Sequence, residues 1–361
     1  MLSINSKRES GVELLKVLAI FGIIICHCYT SFSVATNYDN VCFFEISNFS
    51  VLERFIMQII ITLGYIGNTI FFVCSSWFLV DKQSNKKDKI ISIILNNLII
   101  SIIISICYII SGSNLTNEQL IKTLFPLTNE NNWYITCYAI FYLIYPYINL
   151  ILNKIEKKEH LTISLIIFTM YFVVAFFFLP DSFYVNKLIS FIAIYVIVSY
   201  IKKYKKGFCD NIKQNIILFI ISSLCFYGII FLNFAIVPIN ITWHTINNPF
   251  FLIMSISLLN IFRKFNFHSN IINTVSGLSL FIYIIHDNFI FRDSGREQLA
   301  SYFMINYGTD NIILKIMLFA LLLFILVSFI SYCYKKIIGE RIDKVSKRIE
   351  TIFQNCNRRE D

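Results

Sequence analysis

Apolar runs of about 18 to 23 residues recur along the chain, near 12–34, 64–81, 90–111, 132–153, 161–179, 186–201, 213–236, 246–262, 271–291 and 312–334, with short polar segments between them. A run of that length crosses a bilayer as an α-helix, because about 20 residues rising 1.5 Å each cover the roughly 30 Å of hydrocarbon. The pattern predicts an all-α, polytopic membrane helical bundle with about ten transmembrane helices. The stretch 45–63 carries Glu45, Glu53 and Arg54 and reads as a partly interfacial lead-in to the second span. Residues 1–334 then form one transmembrane domain, and 335–361 a basic, amphipathic tail. The first run follows Lys7 and Arg8 but has no small-residue cleavage site, so it reads as a helix and not as a signal peptide. No internal repeat and no pair of broken helices is evident.

Composition supports lipid as the solvent. The chain is 57% hydrophobic and 15% charged, more apolar surface than a water-soluble fold of this length can hide. Charge then orients the spans. With both termini on the cytoplasmic side, roughly 24 of the 31 Lys and Arg residues fall in inner segments, as the positive-inside rule requires. The net charge of +9 therefore belongs to the membrane surface, and no basic–aromatic surface pattern points to nucleic acid. The ten cysteines are scattered. Cys26 and Cys28 project about 200° apart on a helix, so His27 between them does not imply a metal site, and no metal is expected.

Ionisable groups within spans are costly and mark function. Lys16, His27 and His286 stand out. Lys16 and His27 are eleven residues apart, about 20° past three full turns, so they share one face of the first helix and lie about 16 Å apart along it. Snorkelling to the headgroups is the plainer reading of Lys16, and a packing role the plainer reading of His27. His286 falls at a matching depth in a late span, so the two histidines could reach one cavity, where imidazole suits proton transfer. Asp287 points about 100° away from His286 on a regular helix, which disfavours it as a partner. Arg8, Glu13 and Lys16 sit at the inner mouth of the first helix, and Lys86, Lys87 and Lys89 at the start of the third. They could hold an anionic ligand or be ordinary inner charge. His244 reads as a surface residue of an outer loop, and His160 and His268 need no special role. The chain has no GxSxG, GxGxxG or P-loop motif.

Four segments in order resemble acyltransferase family three, integral membrane O-acyltransferases of bacterial cell-surface polysaccharides. Arg8 to Lys16 followed by His27 is similar to the family's opening, a basic residue, ten intervening residues and a histidine. Phe71–Leu79 resembles its FFxxSGFLL-like stretch, with Ser76 in place of the usual Gly. Trp133-Tyr134 with Tyr142 and Pro146 resembles its W-(F/Y)…Y…P helix, and Ser279–His286 its SLxIYxxH helix. The family often has Arg-x-x-Arg where this chain has Lys86 and Lys89, which keeps the charge and loses bidentate geometry.

The resemblance implies an O-acetyltransferase of the bacterial plasma membrane. Acetyl-CoA would be the donor, with Arg8, Lys16, Lys86 and Lys89 as donor-binding candidates. His27 and His286 would be the catalytic candidates, and Glu13, Trp133 and Tyr283 would contact substrate. The acceptor would be a surface polysaccharide or a lipid-linked oligosaccharide, in capsule or exopolysaccharide synthesis. A transporter or flippase for a lipid-linked glycan is the alternative, since many spans with paired intramembrane ionisable groups suit it too.

Overall fold

The computed structural model describes residues 10–35, 50–127, 132–179, 185–235, 245–308 and 310–357, and Arg8 and His244 lie outside them. The described residues form helices and no strand: α1 Ser10–Ala35, α2 Val51–Leu79, α3 Lys87–Ile110, α4 Asn117–Leu124, α5 Trp133–Lys154, α6 Lys157–Ile167, α7 Ala175–Phe178, α8 Lys187–Tyr204, α9 Lys206–Asp210, α10 Ile212–Ala235, α11 Pro249–Phe262, α12 Asn270–Gly277, α13 Ser279–His286, α14 Glu297–Tyr307, α15 Ile312–Tyr334 and α16 Glu340–Asn357. Among the described residues seven helical stretches are long and apolar enough to cross a membrane: Ser10–Val34, Val51–Leu79, Lys87–Ile110, Trp133–Lys154, Lys157–Phe178, Ile212–Leu232 and Ile312–Ile352. The chain is a multi-pass membrane helical bundle. The other three expected spans match α8, the 14-residue α11, and the stretch 271–291, which breaks at Leu278 and again after His286.

Of the lead-in expected at 45–63, residues 45–49 lie outside the described residues, and 51–63 form the first part of a longer helix. Ser50 and Glu53 form a capping box that starts α2 at Val51, and the helix continues unbroken for 29 residues. At 1.5 Å per residue it is about 43 Å long, more than the hydrocarbon core.

α1 is the central element and packs against α2, α11, α12, α13, α14 and α15. It packs closely on α2, where small residues let two backbones meet, as in lipid, where van der Waals contact drives association. A Cβ placed on Gly64 would lie 2.6 Å from Cys26 Cβ, and one on Gly67 2.6 Å from the Ala19 carbonyl oxygen. These contacts fix the height of His27 relative to α2.

The basic segments meet at one end of the bundle. Lys202 Nζ lies 2.5 Å from Asp81, the Arg263 guanidinium 4.1 Å from the Trp77 ring centroid, and Lys203 Nζ donates to Asn153 at 2.7 Å. Proline shapes this end. Pro146 lacks an N–H, which frees the Tyr142 carbonyl within α5, and Asn85 Nδ2 donates to that oxygen at 3.3 Å. Asn149 Nδ2 donates to the Leu79 and Lys82 carbonyls at 3.2 and 2.8 Å, closing the C-terminus of α2. The turn that leads to Lys86 and Lys89 is thus pinned to α5.

Replacing Gly67 by leucine forces α1 and α2 apart. The expected cost is about 1–3 kcal/mol or more, read as a lower thermal midpoint in detergent and a lower membrane abundance. A midpoint equal to that of the unaltered chain would contradict the close packing.

Candidate active site

Lys16, Ile20, Ile23 and His27 recur at intervals of three and four and share one face of α1. Lys16 Nζ pairs with Glu13 at 2.9 Å. The Ser276 hydroxyl also bonds the buried Glu13 carboxylate. Glu13 therefore joins α1 to α12 at the basic end, while His27 stands about 16 Å further along the axis.

There His27 Nδ1 lies 3.1 Å from His286 Nε2, with ring centroids 5.1 Å apart. The direction of the proton follows from the neighbours. His286 Nδ1 is 2.7 Å from the Ile282 carbonyl oxygen. A carbonyl only accepts, so Nδ1 carries the hydrogen, and in neutral imidazole Nε2 then holds the lone pair. His27 Nδ1 must donate to it. A second acceptor agrees, since Asp287 Oδ1 lies 3.3 Å from the same His27 nitrogen. With Nδ1 as donor, His27 Nε2 is the basic nitrogen. The His27 side chain keeps 24% of its surface accessible, whereas His286 is fully buried. His27 is therefore the member of the pair that a reacting group can reach.

Asp287 reaches His27 because the helix ends. α13 stops at His286, and Asp287 leaves it as the C-cap at φ −106, ψ 7. The 100° argument against Asp287 holds for a regular helix and lapses at this break. A π-helical segment, Phe291–Arg296, follows, and π-turns of this kind often occur at functional sites. It delivers Arg296, only 2% exposed, into the bundle. Arg296 Nη1 donates to the His286 carbonyl at 3.1 Å and Nε to Ser31 Oγ at 2.7 Å. Ser31 in turn donates to the His27 carbonyl at 3.1 Å. One guanidinium thus clamps the two histidine-bearing segments.

A cavity of about 490 Å³ runs along the same face of α1. Lys89, Lys335 and Lys347 line it at the basic end, Ile20, Ile23, Phe71 and Ile93 line its apolar stretch, and Tyr134 and Tyr283 lie further in. The Tyr283 ring is 5.7 Å from that of His286 and 5.8 Å from that of Tyr134. A single aromatic layer therefore separates the cavity from the histidine pair. This arrangement can carry an elongated ligand with an anionic head toward a basic imidazole.

The structure brings His27, His286 and Tyr283 together and places Lys89 at the cavity mouth, 3.3 Å from the Tyr138 hydroxyl and over the Tyr142 ring at 4.9 Å. Lys16 and Glu13 pair with each other and do not line the cavity. Lys86 caps α3, its backbone N–H donating to the Tyr142 hydroxyl at 3.3 Å. Trp133 starts α5 beneath Lys187, at 5.0 Å, and lies beside Tyr134, which lines the cavity. No group of His, Cys, Asp and Glu among the described residues could hold a metal ion.

The family model for the acyltransferase domain of acyltransferase family three matches residues 9–335. The chain belongs to that family. No curated protein and no solved structure matches it significantly. Membership makes this chain a membrane acyltransferase, and the histidine pair, Asp287 and Arg296 all lie within the matched residues. The acyltransferase's α16 lies beyond them, yet Asp343 and Lys347 of that helix line the cavity, and Asp343 accepts a hydrogen bond from Ser92 at 2.6 Å.

The sequence reading sets Asp287 aside, and Arg296 escapes it. A carboxylate directly after a span's histidine and an arginine ten residues on were the available signals, and a helix assumed regular hid both. Replacing Asp287 by asparagine keeps the shape and removes the charge that would stabilise an imidazolium on His27. Acyl transfer per folded molecule is expected to fall about 10²-fold or more, by analogy with the orienting aspartate of a serine–histidine–aspartate triad. A change below threefold would exclude Asp287 from the mechanism.

Proposed function

We propose that the protein is an O-acetyltransferase that moves acetyl from cytoplasmic acetyl-CoA to a hydroxyl of a cell-surface polysaccharide or its lipid-linked precursor, in the plasma membrane of a bacterium. The basic end of the bundle is the cytoplasmic end in this reading, the chain crosses about ten times, and both termini lie inside. The observation that carries the reading is the cavity that joins lysines at the basic end to the neighbourhood of the histidine pair. Phosphates suit the lysines, and a thioester arm suits the apolar stretch.

His27 Nε2 takes the proton of the acceptor hydroxyl as its oxygen attacks the thioester carbonyl. The C–S bond breaks, the imidazolium returns the proton to the thiolate, and an ester and free CoA thiol remain. Asp287 and His286 hold the imidazole by Nδ1 while it is charged. In a two-step variant of the same chemistry His27 Nε2 carries the acetyl group transiently. Arg8, outside the described residues, and Lys16 and Lys86, outside the cavity lining, stay as secondary donor contacts. Glu13, Trp133 and Tyr283 stay as substrate contacts.

The helix break at His286 is a further feature that a glycan transporter would share. Purified protein given acetyl-labelled acetyl-CoA and its glycan separates the two. Label is expected in the glycan, and His27→Ala should abolish its transfer at unchanged membrane abundance. Glycan movement without labelling would favour the transporter. Normal acetylation by the variant would remove His27 from the chemistry.

A further inference from the structure

α16 lies outside the matched residues 9–335, yet it helps to build the mouth of the cavity. Residues 312–357 run as one helical stretch, from α15 through a π-turn at Lys335–Gly339 into α16. The residues of this stretch that line the cavity are Lys335, Asp343 and Lys347. In an unbroken α-helix Lys335 and Lys347, twelve residues apart, would point about 120° apart. The π-turn takes up one residue and sets the rest of the helix back by about 100°. Both lysines and Asp343 then fall within about 40° on one face.

Hydrogen bonds to α3 hold that face in place. The Tyr334 hydroxyl donates to Asn96 Oδ1 at 2.8 Å, Ser92 to Asp343 at 2.6 Å, and the Lys87 backbone N–H to Glu350 at 3.1 Å. The two helices run antiparallel, and these pairs put Lys347 level with Lys89. Lys335 reaches deeper. Its Nζ lies 3.8 Å from the Cβ position of Gly277, which also lines the cavity. Asp88 and Asp343 are the carboxylates of the lining. Among the described residues neither forms an ion pair with any of the three lysines.

The heights fit a nucleotide thioester. Gly277 precedes His286 by nine residues, about 13 Å of helix. In a pantetheine thioester the first phosphorus is thirteen bonds from the sulfur, about 16 Å when extended. A thioester held at His27 therefore brings its diphosphate to Lys335 and leaves its nucleotide between Lys347 and Lys89.

We propose that α16 completes the donor site: Lys335 binds the diphosphate of acetyl-CoA, and Lys347, level with Lys89, binds the ribose 3′-phosphate. The proposal rests on the acetyl-CoA reading above and assigns recognition of the donor's nucleotide to a helix beyond the matched domain.

The full-length protein in phosphatidylcholine vesicles, with its glycan acceptor, is given acetyl-CoA, 3′-dephospho-acetyl-CoA or S-acetylpantetheine, which has no phosphate. The quantities read are ratios of kcat/KM between donors. Lys347→Gln is expected to lower the ratio of acetyl-CoA to the dephospho donor about tenfold, the size of one charged hydrogen bond. Lys335→Gln should lower both nucleotide donors by a similar factor against S-acetylpantetheine. Arg341→Gln and Arg348→Gln, more than about 100° around α16 from the cavity face, should leave the ratios unchanged, and an equal fall there would overturn the site. Misfolding lowers all three activities together and cannot mimic these ratios. Unchanged ratios in both lysine variants would overturn the α16 site while leaving the acetyl-CoA reading intact. An effect seen only when phosphatidylglycerol is added to the vesicles would assign the lysines to lipid headgroups and overturn the site as well. If the unaltered chain uses none of the three donors, the site and the acetyl-CoA reading both fail.

Discussion

The hydrogen bond between His286 Nδ1 and the Ile282 carbonyl, 2.7 Å long, sets the direction of every proton in the site. A carbonyl offers only lone pairs, so the bond makes His286 Nε2 an acceptor. That makes His27 Nδ1 a donor and leaves His27 Nε2 basic. Asp287 supports the same assignment from a different position. The chemistry assigned to this chain depends on that polarity, because an imidazole presenting N–H to the acceptor could neither take its proton nor carry an acyl group.

A bilayer makes such a site hard to build, since freed backbone groups within hydrocarbon must find partners inside the protein. The chain answers with side chains placed at each break. The His286 carbonyl released at the end of α13 is met by Arg296. The carbonyl released by Pro146 is met by Asn85. The irregular backbone after α13 serves the site directly. The break after His286 presents Asp287, and the π-segment after it presents Arg296. Regular helices held together by small residues, α1 against α2, supply the fixed frame.

Much of this was legible from spacing alone. Eleven residues between Lys16 and His27 fix a common face, and the structure adds that Ile20 and Ile23 lie between them and line the cavity. The face that joins Lys16 to His27 is therefore apolar in its middle. Matching depth alone pairs His27 with His286. Helix ends were harder to see. Residues 51–63 continue α2, because the Ser50–Glu53 capping box outweighs the charges that suggested an interfacial segment. Asp287 and Arg296 could not be placed by periodicity, because a helix break and a π-turn change the angle per residue on which periodicity rests. The part played by α16 at the cavity mouth depends on tertiary contact between chain ends, which carries no local pattern.

The most direct measurement is a structure of the protein in lipid with a non-hydrolysable acetyl-CoA analogue. The account predicts the acetyl mimic within hydrogen-bonding reach of His27 Nε2, the arm along Ile20 and Ile23, and the phosphates beside Lys89 and Lys335. An analogue bound elsewhere, or His27 turned to the lipid with its Nδ1 free of His286, would contradict it.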